Sequence, residues 1–218
     1  MTVNINYTFE EIAEITHGIL LQRTSFVAVQ YLLLDSRKLT FPNKTIFFAL
    51  HSDHTKNEML VYDLYKKGVT NFVIDEAVKI NENIAANFIV VKDTLKALQA
   101  LAIYHRNKFD ISGSKLPVIG ITGSNGKTIV KEWLNQLLEN DFNVVRSPKS
   151  YNSQIGVPLS VLQTSPSHTL AIFEAGISQK VEMEIVSSEF TISYGFQTNA
   201  FHFFYCFCNG FVFNGTQI

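Results

Sequence analysis

The sequence predicts an α/β fold, and three observations predict it. Short apolar runs of strand length alternate with longer segments of helical periodicity along most of the chain. A polar stretch, "DISGSK" at 110–115, interrupts that alternation. After it the pattern restarts as an apolar run, a glycine-rich turn and a helix-like run, "VIGITGSNGKTIVKEWL" at 118–134. Alternation of this kind favours strands and helices stacked in layers. The interruption divides the chain into domains at 1–112 and 113–218.

The elements follow in chain order. Thr8 and Glu11 match a capping box, and Phe9, Ile12 and Ile15 recur at near-helical spacing until Gly18. "SFVAVQYLLLDSR" reads as a strand ending at a polar turn, and "KTIFFAL" as a second strand. "NEMLVYDLYKKG" is a helix closed by Gly68. "NFVID" and "NFIVV" are short buried strands, and "TLKALQALAIYHRNKF" is an amphipathic helix. Beyond the interruption come strand "LPVIGI", a helix from about Lys127 to Asn140, and strands within "FNVVRS" and "SHTLAIFEAG".

Composition narrows the function classes. Hydrophobic residues make up 46% and charged residues 17% of the 218, enough for packed cores and against wholesale disorder. With 18 Lys+Arg against 19 Asp+Glu the net charge is −1, so no broad basic surface for nucleic acid or anionic lipid is expected. The N-terminus lacks a basic segment followed by an apolar core, and no apolar run is long enough to span a bilayer. No membrane association is expected, and the cytoplasm is the expected compartment. The two cysteines, Cys206 and Cys208, are spaced for neither a CxxC redox pair nor a zinc knuckle.

The segment from Phe190 to Ile218 differs in kind: it holds no Asp, Glu, Lys or Arg, and 8 of the chain's 18 Phe. Its run "FHFFYCFCNGFVF" is either a buried strand pair or sequence foreign to the α/β pattern before it. Following an incomplete domain, it is expected to lack partner strands.

The glycine turn carries the chemistry. A strand feeding a glycine-rich turn and a helix N-terminus converges backbone N–H groups on one point, where the helix dipole favours an anion. In "GSNGKT", Gly123 and Gly126 let the backbone wrap a phosphate, Lys127 reaches the β- and γ-phosphates, and Thr128 offers a hydroxyl to Mg²⁺. The general P-loop pattern needs a glycine where Ile121 stands, so it fails by one residue. The competing reading is a helix start whose Gly and Asn serve only the turn. The placement between an apolar strand and an amphipathic helix favours the cradle.

"GITGSNGKT" resembles the ATP loop of the Mur ligases, the amide-forming enzymes of peptidoglycan precursor synthesis, in which a shortened loop replaces the general pattern. "SPKSYNSQIGVPLSVL", "AIFEAGISQ" and "LLLDSRKLTFPNKTIFFAL" are similar to further segments of that family in order and spacing. The resemblance covers residues 1 to about 185. It implies an N-terminal domain that binds a UDP-sugar, followed by a truncated P-loop-type central ATP-binding domain. The wording is nearest the branch that joins D-alanyl-D-alanine to UDP-N-acetylmuramoyl-tripeptide, with ATP and Mg²⁺ as cofactors and no protein partner.

Roles follow by resemblance. Gly123, Ser124, Asn125, Gly126, Lys127 and Thr128 form the ATP loop, with Lys127 as the catalytic cation. Thr128 and Glu174 are implied Mg²⁺ ligands, although a Glu at a strand end is more often solvated surface. Ser36 and Arg37 are implied contacts to the nucleotide-sugar, although with Asp35 they also read as an ordinary turn. Asn152 either lines the cleft or serves a loop turn. His51, His54, His105 and His202 show no ligand spacing and are expected to be structural.

The chain departs from the family at several points. "HSDHTKNEM" lacks a glycine after its Asp, Ile129 replaces a usual second Thr, and "SQKVEME" replaces a P-G-E-M segment. Thr198 and Asn199 echo a later motif that then dissolves. The family's carbamylated lysine and third, amine-binding domain find no match, so this polypeptide is expected to be inactive alone. Two alternatives stand beside the ligase reading: a non-catalytic fragment that binds ATP or UDP-sugar, and a folylpolyglutamate-synthetase-like ligase. The "LDSRKL…FFAL" segment favours the Mur reading, because a folate ligase has no uridine-binding domain ahead of its ATP loop.

Overall fold

The computed structural model describes residues 2–21, 24, 28–50, 53–81, 83–111 and 116–176, and the backbone of strands at 194–198, 204–208 and 211–214. The chain divides into two compact units, Met1–Leu101 and Ala102–Ile218. Most of the stretch read as an interruption, 112–115, lies outside the described residues.

The first unit opens with strand β1 (Thr2–Tyr7), which alternates strictly: Val3, Ile5 and Tyr7 are buried while Asn4 and Asn6 face outward. Helix α1 (Phe9–Ile15) follows, capped by Thr8 and Glu11 in the reciprocal arrangement the sequence predicts. Then come β2 (Ile19–Leu21), β3 (Val29–Leu33), β4 (Thr45–Phe48), helix α2 (His54–Lys66), β5 (Asn71–Asp75) and β6 (Asn87–Val91). Helix α3 (Thr94–Ile111) starts in this unit with Asp93 accepting from the N–H groups of Leu95 and Lys96.

The sheet order is β1-β3-β4-β5-β6-β2, with β3 to β6 parallel and an antiparallel strand at each edge. Burial explains that division. Every residue of β4 is buried, as expected where helices cover both faces, whereas all of β2 is exposed. Phe47, Phe72 and Phe88 come from three adjacent strands, and the last two stack at 5.4 Å between ring centres. The buried amides of Asn71 and Asn87 lie at paired positions of β5 and β6, and Asn87 donates to Asn71 at 3.1 Å.

The second unit contains β7 (Val118–Gly123), α4 (Lys127–Leu138), β8 (Val144–Arg146), α5 (Gly156–Val161), β9 (Leu170–Glu174), β10 (Tyr194–Thr198), β11 (Phe204–Cys208) and β12 (Phe211–Asn214). Its sheet order is β12-β11-β10-β7-β9-β8. Strands β10, β7, β9 and β8 are parallel, and β11 and β12 extend the sheet antiparallel. The Phe-rich tail therefore has partner strands, contrary to the expectation that it would lack them: β10 lies along β7, from Tyr194↔Ile119 to Thr198↔Gly123. Asn199, the second residue of the echoed motif, and the segment 177–193 lie outside the described residues.

The core behind β7 joins Ile119, Ile121, Leu170 and Ile172 to Val130, Leu134 and Leu138 of α4. Helix α5 is buried along its whole length. It begins at Gly156, where an added Cβ would lie 2.8 Å from the backbone carbon of Tyr151. Only glycine permits that approach. Deep in this unit, Arg106 is buried and donates to the Leu116 carbonyl at 3.0 Å.

Candidate functional site

The chain leaves β7 at the middle of its sheet, with β9 on one side and β10 on the other. It runs first to β8 beyond β9 and later returns to β10, so the connections diverge at the C-terminal end of β7. That end is where open α/β sheets place ligands. The Gly123–Thr128 turn occupies it.

The backbone of the turn is one that side chains resist. Gly123 has φ +129° and Gly126 has φ +81°, both in the region that favours glycine. Gly126 is the N-cap of α4 and supplies no side-chain acceptor. By contrast, α1, α2 and α3 are capped by Thr8, Asp53 and Asp93. The free N–H groups of the first turn of α4 are thus left to whatever approaches from the loop, and the helix dipole adds to their pull on an anion. Ser124, Asn125 and Gly126 are exposed along the rim. The Lys127 ammonium folds back across the turn and donates to the Gly123 carbonyl at 2.6 Å, which holds its charge over the loop.

Glu174 closes the other side. Strand β9 pairs in parallel with β7 so that Ile121 stands opposite Glu174, and Ala175 N–H donates to the Ile121 carbonyl. This register sets the carboxylate level with the start of the turn. Thr128 donates to Glu174 Oε2 at 3.1 Å, and the Ser150 hydroxyl lies 3.2 Å from that of Thr128. Two residues 46 apart in sequence, singled out as a pair, therefore meet. A carboxylate and a hydroxyl are hard oxygen donors of the kind Mg²⁺ takes when phosphate oxygens supply the remainder. The donor set fits that ion.

Asn152 is half-buried, and its carbonyl accepts from Gly176 N–H at 2.6 Å, two residues past Glu174. The structure thus brings Asn152 to the same strand end. Ser36 and Arg37 belong to the first unit, in a 3₁₀ turn after β3. Asp35 caps that turn and binds the Arg37 guanidinium through both carboxylate oxygens, at 2.8 and 2.9 Å. Those hydrogen bonds from Arg37 hold the Asp35 carboxyl down at about 2. The Arg37 side chain is otherwise out in solvent, at 85% exposure.

Lys131 was not legible in the sequence. It lies one turn after Lys127, on the inward face of α4, and its side chain is fully buried. Its ammonium donates to the Ser147 carbonyl at 2.8 Å and to the Lys149 carbonyl, and pairs with Glu174 Oε1 at 2.8 Å. Glu132 flanks it at 3.2 Å. The available signal was a lysine between Val130 and Leu134, two residues that pack on the β7 core. That pattern reads equally as a solvated lysine between two apolar stripes, since Ile129 and Trp133 on the same helix are exposed.

Two of the histidines expected to be structural make contacts within the protein. Half-buried His105 faces the Thr164 carbonyl at 2.9 Å through Nε2, and desolvation lowers its pKa from 6.5. His54 contacts Asp75 at 3.2 Å. His51 and His202 lie outside the described residues. Among the described residues no three His, Cys, Asp or Glu side chains cluster as a metal site, and no helix is long and apolar enough to cross a membrane.

Comparison with known proteins bears on this site directly. Residues 121–201 match the Mur ligase middle domain. The chain is similar to the UDP-N-acetylmuramoyl-tripeptide–D-alanyl-D-alanine ligase of Treponema pallidum, at 34% identity over 72% of this chain and 35% of that protein. The Bacillus subtilis enzyme of the same name is 32% identical over 84% of this chain and 38% of its own length. The chain therefore spans well under half the length of the curated relatives it matches. Among solved structures, MurF from Acinetobacter baumannii superposes with a TM-score of 0.75 at 24% identity, covering 88% of this chain and 40% of that one. The MurF ligase of Thermotoga maritima, solved in complex with ADP, superposes with a TM-score of 0.58 at 23% identity, over 72% of this chain and 34% of that one. Those two likenesses establish the fold.

Proposed function

The chain belongs to the Mur ligase family, and we propose that it is the nucleotide-sugar-binding and ATP-binding portion of an ATP-dependent amide ligase. In this reading the whole enzyme joins D-alanyl-D-alanine to UDP-N-acetylmuramoyl-tripeptide in the making of peptidoglycan precursor. Residues 1–112 form the UDP-muramoyl-peptide-binding domain, with Ser36 and Arg37 as contacts, and residues 113–218 belong to the central ATP-binding domain. One observation carries the proposal. At the C-terminal ends of two adjacent parallel strands, the Thr128 hydroxyl lies 3.1 Å from Glu174 Oε2, beside a turn held at φ +81° by Gly126.

The chemistry divides into two displacements. A tripeptide carboxylate oxygen bonds to the γ-phosphorus of ATP as the bond to ADP breaks. The amine nitrogen then bonds to the acyl carbon, loses a proton and expels phosphate. Transfer of this kind needs charge neutralisation and alignment more than covalent help. The loop N–H groups and Lys127 bind the β- and γ-phosphates, Ser124 and Asn125 line the rim, and Asn152 orients groups at the strand end. Thr128 and Glu174 would hold Mg²⁺, which when bound neutralises phosphate charge.

The 218 residues match only part of the relatives' length, so the proposal for this chain is ligand binding without turnover. The test is calorimetric titration of the chain with ATP in Mg²⁺, beside Lys127→Ala, and phosphate release with all three substrates. Loss of a charge-assisted contact predicts a drop in ATP affinity of about ten-fold or more in Lys127→Ala, and no phosphate release from either protein. Equal ATP binding by the two proteins would overturn the assignment of the loop. Turnover that needs every substrate and vanishes in the variant would overturn the expectation of inactivity.

A further inference from the structure

Glu174 is held in place by Lys131, a residue given no part in the chemistry proposed above, and the geometry of that contact divides the carboxylate. An ammonium has three hydrogens to donate. Two go to the carbonyls of Ser147 and Lys149, and the charge forms ion pairs with Glu174 Oε1 at 2.8 Å and with Glu132 Oε1 at 3.2 Å. Both side chains are at 0% exposure, so neither charge has water to turn to. The other oxygen of Glu174 points to Thr128. One oxygen is anchored and one is presented.

The same lysine shapes the loop on the far side of the site. Ser147 is held three ways: its N–H donates to Ile172, its carbonyl accepts from Lys131, and its hydroxyl accepts from Glu174 N–H at 3.0 Å. Lys149, the next carbonyl on Lys131, has φ +50°, a left-handed backbone that a non-glycine residue keeps only when its surroundings impose it. One residue later, Ser150 places its hydroxyl 3.2 Å from that of Thr128. Lys131 thus ties α4, the 147–149 loop and the end of β9 into one frame around the Thr128–Glu174 pair.

We propose that Lys131 is a positioning residue that locks Glu174 through Oε1 and the 147–149 loop through its carbonyls, so that Oε2 is the oxygen offered to a divalent cation bound with ATP. This rests on the reading of the loop as a Mg²⁺·ATP site. Lys131 does not touch the nucleotide. Its charge remains on Glu174 when the metal arrives, and it is no placeholder for the cation.

The experiment measures ATP affinity of the full chain by calorimetry in EDTA and in Mg²⁺, for wild type, Lys131→Met and Lys131→Arg. Supports for metal ligands are typically worth about 10–100-fold in metal affinity. Lys131→Met is expected to keep the EDTA affinity and lose the tightening by Mg²⁺ on that scale, while Lys131→Arg recovers part of it. An Mg²⁺ response in Lys131→Met equal to wild type, or an equal loss with and without Mg²⁺, overturns the inference. A second measurement needs no variant at position 131. In ¹⁵N-lysine-labelled wild type, the sequestered Lys131 ammonium should give a slowly exchanging signal that is lost in Glu174→Gln and persists on adding Mg²⁺·ATP. Disappearance of that signal on adding Mg²⁺·ATP would mean that the metal displaces the lysine, and would overturn the inference even if Lys131→Met failed to fold. A wild-type chain whose ATP affinity ignores Mg²⁺ overturns the Mg²⁺·ATP reading itself, and this inference with it; a normal wild-type response with an unaltered Lys131→Met overturns this inference alone.

Discussion

Replacing Gly126 by alanine isolates the backbone conformation of the phosphate turn from every packing effect. A Cβ built at this position meets no heavy atom within 4 Å, so a methyl group fits without contact. The cost arises from φ +81° alone. An L-residue in the left-handed region costs about 1–2 kcal/mol. The lower entropy of an unfolded chain with alanine in place of glycine offsets about 0.4–1 kcal/mol of that. The net loss is about 1 kcal/mol, roughly a five-fold rise in the unfolding constant, which corresponds to a fall in Tm of about 2–4 °C for a chain of this length. Asparagine tolerates the left-handed region better than alanine, so Gly126→Asn should lose less. Urea unfolding of the three proteins measures the differences, and ATP titration reports whether the loop keeps its shape. Where alanine relaxes toward negative φ, the first turn of α4 and Lys127 move with it, so ATP affinity should follow the same order: Gly, then Asn, then Ala. Alanine as stable as glycine, or asparagine worse than alanine, would show that the turn does not hold φ +81° and would remove the conformational basis for the cradle.

Two further outcomes follow from charge and burial. The Asp35 carboxyl, held down to about 2 by Arg37 from an ordinary 3.8, should titrate near 2 by carbon-detected NMR and move back toward 3.8 in Arg37→Ala. Its stabilising effect is present above the unfolded value and disappears as pH falls through about 2; unchanged titration in the variant would show that the ion pair does not form in solution. Burial lowers the His105 pKa below 6.5, so the unfolded chain takes up a proton there more readily than the folded one. Stability should therefore be full above about pH 6.5 and decline as pH falls below it, with a smaller decline in His105→Gln; equal slopes in urea midpoints between pH 7.5 and 5 would refute the burial argument.

Much of the site was readable because its signals are local. The capping box at Thr8 and Glu11 joins residues three apart, and it forms as written. The turn at 123–128 announces itself because glycine, asparagine and lysine between a strand and a helix are chosen for backbone geometry within one short segment. Strand β1 and helix α5 add to the elements expected from the sequence. "TVNINY" alternates as cleanly as any strand in the chain and forms β1, while "GVPLSV" forms α5 despite its proline and β-branched residues, because all six residues are buried. The Phe-rich tail, read as a strand pair or as foreign sequence, forms β10, β11 and β12; β11 pairs with its neighbours β10 and β12, and the pairing of β10 with β7 is the non-local choice.

The sequence by itself determined most of the strands and helices up to Glu174, the Thr8–Glu11 cap, and the residue types able to wrap and neutralise a phosphate, since each depends on groups a few positions apart. It nominated Glu174 only through likeness to a family. Tertiary structure decided which residues meet. The parallel register of β7 and β9 sets Glu174 opposite Ile121 and within reach of Thr128. The packing of α4 on that sheet turns Lys131 inward, onto carbonyls and a carboxylate from two other segments. A lysine at such spacing has the same one-dimensional pattern whether it faces water or a buried carboxylate. Only folding removes the water, and it leaves the ammonium against the fully buried Glu174 carboxylate, with Glu132 beside it.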